Sequence, residues 1–446
     1  MARIAGEEVA YFEHGEGSIL GMILMDRQDR DFAGLVFAPD RRKRYRSADM
    51  TSFGPRRQAE LALRQAMEAA YHAPAEAHHQ GDETGDPIDF FALKRPEKAL
   101  NPYFVTLADQ PGYVPARRII EPMMRWYDDA DGNFIEQFQT TGFDQRIWEL
   151  YLFAAFVEMG YLLDRRDPIP DYMLQGPFGD IAVEAVTVAP SQGGKLADPP
   201  DIETDVGRRD YLQEYMPIKF GSALYSKLRK RYWDQPAVVG KALVFAIEDF
   251  SSAGSMIVSR QGLPIYLFGY TWDWRHEDDG RLIITPRKLS EHRWGEKVIP
   301  SGFFEQPDSE NVSAVLFSNS GTIAKFNRMG VLAGFCPPDV VLVRQGLRPN
   351  PDSNASQAIP FQALVNADDY EEFWCEGLEV FHNPNAKIPL DPRALPDATH
   401  HYLKPDGQVL SESMDLDPIS SKTLIFTGAD TQAVASMMAR GRPQGQ

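Results

Sequence analysis

One carboxylate interrupts an otherwise apolar run of the chain, IAVEAVTV at residues 181–188. The run has the length and the β-branched content of a buried strand, and Glu184 stands in its middle. A carboxylate inside such a strand is expensive to bury unless it is paired with a cation or coordinates a metal ion. Any fold that contains this strand must therefore bring a partner to Glu184.

The segment around this strand predicts a definite order of elements. They are a helix that carries Glu149, a strand at about 161–166, a strand at 171–175, a strand at 180–188, a helix at 210–233 and a strand at 242–249. The step Pro170–Asp171 opens the second of these strands. The last strand, within KALVFAIEDF, is a continuous apolar run, as expected of a strand buried on both faces.

The candidate metal ligands are Asp171, Glu184 and Glu149. Two or three converging carboxylates suit a hard divalent cation such as Mg²⁺, which takes oxygen ligands and keeps some of its waters. Each residue also has a simpler interpretation. Glu149 can pair with Arg146 one turn earlier, Asp171 can be a turn residue after its proline, and Glu184 can form a structural ion pair with a helix lysine.

The rest of the chain divides by composition, and its length suggests about three domains. We expect an N-terminal ββ(β)α module at 1–72, a linker and connecting region at 73–140, a core at 141–260 and a C-terminal α/β extension at 261–446. The short strand-like runs after residue 260 either complete the sheet of the core or form a separate α/β region.

The net charge and the number of cysteines limit the classes of function that this chain can have. The formal net charge is −18, so the surface as a whole repels nucleic acid, and any such contact needs local basic patches. Cys336 and Cys375 are the only cysteines, which excludes a disulfide scaffold and a four-cysteine zinc site and predicts a cytoplasmic location. We expect no signal peptide and no membrane association, because no apolar run has the required length.

Two basic clusters could contact phosphate, one at 41–46 on a predicted hairpin and one at 227–233 on the helix after the acidic strand. Their cations are Arg41, Arg42, Lys43, Arg44 and Arg46 in the first cluster, and Lys227, Arg229, Lys230 and Arg231 in the second. A solvated charged face is the simpler explanation for either cluster, and a phosphate-binding surface is the functional one. The adjacent pairs His78–His79 and His400–His401 fall in polar runs, and we expect them to be solvated.

The order of elements and the residue types together resemble the PD-(D/E)XK, or restriction-endonuclease-like, nuclease superfamily over about residues 141–250. Pro170–Asp171 matches the PD step of that motif, Glu184 matches its central acid, and Glu149 matches the helix glutamate of many members. The resemblance implies an α/β fold class, mixed α+β overall, with an αβββαβ core. It also implies that the strand carboxylates hold Mg²⁺ or Mn²⁺ against a phosphate and that the metal activates a water.

One position departs from this pattern. Val186, and not a lysine, stands two residues after Glu184 and shares its face of the strand. In related folds the following helix can supply the lysine, and the candidates here are Lys219 and Lys227. Lys227 lies beside the apolar face of that helix, so we expect it to be the one that points toward the sheet.

These features predict a metal-dependent nuclease that hydrolyses phosphodiester bonds, with DNA as the expected substrate and bacterial defence as the role that the resemblance implies. The residues expected to carry the chemistry are Asp171, Glu184, Glu149, Lys227 and Lys219. The alternative is a catalytically inactive scaffold of the same fold that binds a protein partner or forms a homo-oligomer. Val186 and the negative net charge favour that alternative.

Overall fold

The computed structural model describes residues 6–127, 129, 132–164, 170–191, 196–413 and 417–440 and has the predicted mixed α/β class, with several β-sheets. The chain forms two compact units. The first is the chain as far as Ala92 together with the stretch Ile120–Asp128, and the second is Leu93–Ile119 together with Asp129–Gln446. The candidate catalytic residues all belong to the second unit.

The first unit is built on a four-stranded antiparallel sheet of order β1-β2-β3-β4, followed by a helix. Its elements are β1 (Gly6–His14), β2 (Ile19–Asp26), β3 (Phe32–Pro39), β4 (Tyr45–Met50) and α1 (Arg56–His72). The sequence predicts the last three strands and the helix. The first basic cluster lies at the tip of the β3–β4 hairpin, as expected.

Helix α1 packs closely on this sheet because two glycines leave room for it. Its buried side chains Ala59, Leu63 and Met67 are spaced four residues apart and form one apolar face. A Cβ atom at Gly34 would lie 2.7 Å from the Leu63 Cβ, and one at Gly21 would lie 2.4 Å from the Met67 sulfur. Both glycines are therefore needed for the close approach of helix and strands.

The second unit contains the remaining strands and nearly all of the other helices. The strands are β5 (Leu162–Asp164), β6 (Tyr172–Gln175), β7 (Ile181–Val188), β8 (Ala242–Asp249), β9 (Tyr270–His276), β10 (Leu282–Lys288), β11 (Glu291–Trp294), β12 (Lys297–Pro300), β13 (Ala314–Phe317), β14 (Val340–Arg348), β15 (Ile359–Leu364), β16 (Glu379–His382), β17 (Thr399–Leu403), β18 (Val409–Glu412) and β19 (Ser420–Thr427).

The helices after α1 are α2 (Pro102–Asp109), α3 (Val114–Trp126), α4 (Phe134–Gln139), α5 (Phe143–Glu158), α6 (Asp205–Asp210), α7 (Met216–Leu228), α8 (Ser255–Val258), α9 (Gly262–Phe268), α10 (Ile323–Leu332) and α11 (Asp430–Arg440). Among the described residues, none of these helices is long and apolar enough to cross a lipid bilayer.

An eight-stranded sheet of order β18-β17-β16-β13-β8-β7-β6-β5 dominates this unit. Strands β5, β6 and β7 form an antiparallel meander, and β7, β8 and β13 run parallel to one another. The parallel strands β7 and β8 are buried along nearly their whole length, in agreement with their apolar sequences. From sequence, the strand-like runs after residue 260 could either complete this sheet or form a separate region, and both occur. Strands β13 and β16–β18 extend the sheet, whereas β14, β15 and β19 form a separate one.

The helix, three strands, helix and strand predicted between residues 141 and 250 are present as α5, β5, β6, β7, α7 and β8. Residues 165 and 166 of the first predicted strand, and residues 192–195 of the following polar loop, lie outside the described residues. The predicted helix 210–233 is wrong at its end, because α7 stops at Leu228. Arg231 has a left-handed φ of 52°, and a short 3₁₀ turn at Tyr232–Asp234 follows it.

Helices α5 and α7 cover opposite faces of the sheet. The core beneath α7 contains Val186, Phe245 and Ile247, and Glu184 shares that face because side chains alternate along a strand. On the other face, a Cβ at Gly321 would contact both the Trp148 ring of α5 and the Glu248 carboxyl group. The residue alternation of β7 and β8 thus separates two packed layers.

The prediction of solvated histidines is wrong for His400 and His401. Both residues lie on β17 and are buried, at 5% and 6% exposure. His400 contacts His382 through ring nitrogens 2.8 Å apart, and the His401 Nε2 lies 3.0 Å from a carboxylate oxygen of Glu379. Neighbouring strands supply the polar partners that make burial of these rings acceptable.

Candidate functional site

Glu184 is buried in β7, with 5% of its surface exposed, and it receives the partners that its position requires. Its Oε1 atom accepts a hydrogen bond of 2.6 Å from the Lys227 ammonium group and another of 2.6 Å from the Tyr232 hydroxyl group. These two charge-assisted bonds offset the loss of water around the carboxylate. The structure therefore places the predicted acid beside one of the two predicted lysines.

Lys227 reaches Glu184 because α7 packs directly over β7. It lies in the last turn of the helix, between the buried residues Leu224 and Leu228. Its side chain is 21% exposed, so the stem is largely covered while the ammonium group stays near the surface. Only one of its three N–H groups is committed to Glu184.

Asp171 immediately precedes β6 and lies next to Glu184. The antiparallel register pairs Tyr172 with Val183, so that Asp171 is placed opposite Glu184 one step further on. Its Oδ2 atom accepts a hydrogen bond of 2.8 Å from the backbone N–H of Ala185. The two candidate ligands thus lie beside each other, although the predicted strand 171–175 begins one residue late, at Tyr172, and Asp171 stands just before it. We call Asp171 and Glu184 the acid pair.

Burial raises the pKa of Asp171 to about 8, and repulsion from the carboxylates of Glu184 and Glu149 adds to this effect. The positive charge of Lys227 and the hydrogen bond from Ala185 act in the opposite direction without cancelling it. A carboxyl group that holds its proton near neutral pH beside two other carboxyl groups indicates a site with excess negative potential.

Glu149 lies on α5, is 1% exposed, and is held by side chains of its own helix. Arg146 Nη1 donates to its Oε2 at 2.7 Å, and Gln145 Nε2 donates to its Oε1 at 2.9 Å. The Arg146 pair that the sequence allows as an alternative is therefore present. The backbone carbonyl of Glu149 also accepts a short hydrogen bond from the Tyr172 hydroxyl group, which ties α5 to β6.

The structure does not bring Lys219 to the acid pair. Its ammonium group donates to the Ala189 carbonyl oxygen at 2.7 Å and to the Ser191 hydroxyl group at 3.0 Å, beyond the carboxyl end of β7. Burial lowers the pKa of Lys219. Of the two lysines considered from sequence, only Lys227 contacts Glu184.

Tyr232 is a member of the site that sequence reasoning missed. It is 1% exposed and its ring packs edge-on against Phe245, with centroids 6.0 Å apart. Burial and the neighbouring charge of Glu184 raise its pKa, so that the hydroxyl group stays a hydrogen-bond donor. The left-handed conformation of Arg231 turns the chain after α7, so that the Tyr232 hydroxyl group reaches the same Glu184 oxygen as Lys227. The sequence gives no signal for that turn.

The donor set fits a divalent cation held by two carboxylates. Neither Asp171 Oδ1 nor Glu184 Oε2 is engaged by a hydrogen bond from the described residues, which leaves one oxygen of each for a ligand. Mg²⁺ is commonly bound through one or two carboxylates, with waters and substrate phosphates completing its shell. Within the described ranges, no group of three or more His, Cys, Asp or Glu side chains is arranged to hold a metal ion.

Both basic clusters combine paired cations with exposed ones, and the exposed cations of the first cluster are Arg41 and Lys43. In the first, Arg44 pairs with Asp40 at 2.7 Å, and Arg46 is paired with Asp82. In the second, Arg231 pairs with Asp234 at 2.7 Å, but Arg229 and Lys230 are exposed directly after α7. The exposed cations nearest to the acid pair along the chain are thus those that follow Lys227.

No protein-family model, no curated protein and no solved structure matches this chain. The resemblance to PD-(D/E)XK nucleases therefore stays a prediction, carried by the residues quoted above.

Proposed function

We propose that this protein is a metal-dependent nuclease of the restriction-endonuclease-like superfamily, with Asp171 and Glu184 as metal ligands and Lys227 as the charge-stabilising lysine. The observation that carries this proposal is the meeting of these three side chains where β6, β7 and α7 come together. Lys227 follows Glu184 by 43 residues. All three residues were selected from the sequence by their type, their spacing and the superfamily resemblance. Glu149 is a supporting residue next to the pair, through its effect on Asp171.

The chemistry assigned to each residue follows from its contacts. When Mg²⁺ or Mn²⁺ is bound, it supplies charge stabilisation and a water of lowered pKa. Each carboxylate of the acid pair has one oxygen, Asp171 Oδ1 or Glu184 Oε2, that would be available to such an ion. Lys227 has two N–H donors that are not used by Glu184, and they suit a phosphate oxygen on which charge accumulates. Tyr232 fixes the Glu184 carboxylate by holding the same oxygen as Lys227.

Arg229 and Lys230 support a nucleic-acid substrate. Both are exposed and follow Lys227 by two and three residues, so a phosphodiester chain at the acid pair would pass beside them. A protein with a net charge of −18 needs such a local patch to approach a polyanion. DNA is the substrate that the superfamily resemblance favours, with bacterial defence as the corresponding role.

A second candidate function is an inactive scaffold of the same fold that binds a protein. The pairing of Glu184 with Lys227 favours it, because a structural ion pair of this kind stabilises a buried acid without any chemistry. Val186 at the motif position also favours it. In this case the acid pair would bind no metal and the protein would cleave no nucleic acid.

The deciding experiment is a cleavage assay on linear double-stranded DNA, single-stranded DNA and RNA with Mg²⁺, Mn²⁺ or EDTA. A nuclease should show metal-dependent cleavage that Asp171→Asn and Glu184→Gln both abolish. Asp180→Asn is the matched control, because the Asp180 side chain is 42% exposed and its one ion pair within the described part of the chain is with Lys241, at 3.6 Å. Cleavage that survives in either site variant, or no cleavage of any substrate with either metal, would contradict the proposal.

A further inference from the structure

A cavity of about 670 Å³ opens beside strands β16 and β17, away from the acid pair. Residues of α6, α9, the β9–β10 hairpin and strands β16–β18 line it. Through strand register, Phe381 and His401 share the face of the sheet that carries Glu184. Three strand spacings separate β7 from β16, which amounts to about 14 Å. The cavity is therefore distinct from the candidate nuclease site.

The cavity lining is positively charged although the protein is strongly acidic. Three guanidinium groups, those of Arg208, Arg209 and Arg260, face two carboxylates, those of Asp205 and Glu379. Arg208 is 57% exposed, and its closest carboxylate oxygen, on Asp205, is 3.7 Å away. Arg209 is 62% exposed and lies 4.0 Å from its acidic neighbour. Exposed pairs at such distances are weak, so both guanidinium groups are available to an anionic ligand.

The deep wall of the cavity is formed by four polar side chains that contact one another in series, those of Arg260, Glu379, His401 and Ser411. Arg260 donates to both oxygens of Glu379 through Nε and Nη2, which leaves its Nη1 for another acceptor. His401 Nε2 lies 3.0 Å from a Glu379 oxygen, and its Nδ1 lies 2.8 Å from the Ser411 hydroxyl group. The bidentate pair and the buried imidazole hold Arg260 in one orientation, which is what a binding site for an anion requires.

Two tryptophans of β9, Trp272 and Trp274, also line the cavity. The Trp272 indole is fixed by its hydrogen bond of 2.9 Å to the Gly407 carbonyl oxygen. Trp274 is 58% exposed, which is unusual for so large an apolar ring and leaves its face accessible. Aromatic faces beside guanidinium groups favour a ligand that is flat and apolar in one part and anionic in another.

We propose that this cavity binds a free nucleoside phosphate. The base would stack on the tryptophans, and the phosphates would contact Arg208, Arg209 and Arg260. The volume lies within the range of pockets for small ligands, which is about 300–1,000 Å³. Inorganic phosphate would contact only the arginines, and a nucleoside would contact only the tryptophans. Each should therefore bind less tightly than a nucleoside phosphate, which contacts both.

The test is calorimetric titration of the full chain with ADP, GDP, adenosine and pyrophosphate, and with a short thymidine oligonucleotide. At least one of the two nucleotides should bind at least about tenfold more tightly than adenosine and pyrophosphate. The double variant Arg208→Gln, Arg209→Gln should weaken nucleotide binding by at least about tenfold. Its melting temperature without ligand should be unchanged, because both side chains are exposed.

Arg275→Gln is the matched control. Arg275 is 70% exposed on the same strand as Trp274, but its side chain points to the opposite side of the hairpin. Equal nucleotide affinity in the wild type and the double variant would overturn the proposal. It would also be overturned if pyrophosphate bound as tightly as the nucleotides, or if the oligonucleotide bound and neither nucleotide did. These outcomes are independent of cleavage, so they leave the nuclease proposal unaffected.

Discussion

The ammonium group of Lys227 lies 2.6 Å from Oε1 of Glu184, across 43 residues of sequence. This contact joins the last turn of α7 to the middle of β7. It stabilises a carboxylate that the strand would otherwise bury without a counter-charge. It also puts a cation beside the two carboxyl groups on which the proposed phosphodiester chemistry depends.

The first prediction concerns Lys227. If the protein is a nuclease, Lys227→Ala should reduce the cleavage rate by roughly 10²–10³, because a lost donor to the charged transition state has that effect. Metal binding should change little, since a charged lysine is no metal ligand. Single-turnover cleavage and metal titration followed by thermal shift measure the two quantities. Lys230→Ala is the control, and equal losses in both variants would mean that Lys227 has no special position. Full activity in Lys227→Ala would contradict the role of Lys227 as the charge-stabilising lysine, and Lys219 is bound to Ala189 and Ser191, away from the acid pair.

The second prediction concerns the pH dependence of stability through Asp171. Its pKa in the folded protein is about 8, above the ordinary 3.8, so the folded state keeps a proton that the unfolded chain has lost. The free energy of unfolding should therefore fall as the pH rises from about 4 to about 8, and Asp171→Asn should flatten that fall. Urea denaturation of both proteins at several pH values measures the difference. Glu248, whose pKa is also raised by burial, contributes equally to both proteins. Parallel pH profiles would contradict the prediction.

A third prediction isolates the hydroxyl group of Tyr232. Tyr232→Phe keeps the ring against Phe245 and removes one hydrogen bond to a charged group, which should cost about 1.5–3 kcal/mol of unfolding free energy. Cleavage should also slow, because Glu184 loses one of the two groups that fix it. Tyr225→Phe on helix α7 is the control, since Tyr225 is 51% exposed. A Tyr232→Phe variant as stable as the control would show that the bond contributes nothing.

A fourth prediction concerns a buried charge cluster near the C-terminal sheet. The Glu372 carboxylate is fully buried and binds Lys325 at 2.6 Å and Arg328 at 2.8 Å. Glu372→Gln would leave buried cations without their counter-charge and should destabilise the protein by about 3–5 kcal/mol. The exposed pair of Glu277 and Arg281 provides the comparison, and Glu277→Gln should cost less than about 1 kcal/mol. Chemical denaturation of both variants measures the two costs, and similar values would refute the prediction.

The central elements could be predicted because each has a strong local signal. Apolar runs fixed the positions of β7 and β8, and helical spacing next to an apolar face singled out Lys227. The partners of Glu149 were also accessible to sequence reasoning, since Arg146 lies one helical turn away. These features depend on residues that are close in sequence or on a regular period.

Other features of the structure, in the cavity and in the candidate site, depend on contacts that no local pattern encodes. His401 is polar and sits beside a second histidine, so its run suggests a loop. It is buried because Glu379, 22 residues earlier, supplies a partner on the neighbouring strand. Tyr232 reaches Glu184 only because Arg231 adopts a left-handed conformation, which is uncommon for residues other than glycine.

The strand order of the large sheet has a consequence for synthesis of the chain. β8 pairs with β13, and β13 pairs with β16, which begins at Glu379. A ribosome must therefore translate about 130 residues after β8 before β16 can join, so the growing polypeptide carries an open sheet edge during that time. Pairing over such sequence separations folds slowly, and we expect nascent chains of this protein to need protection from aggregation until β18 has emerged.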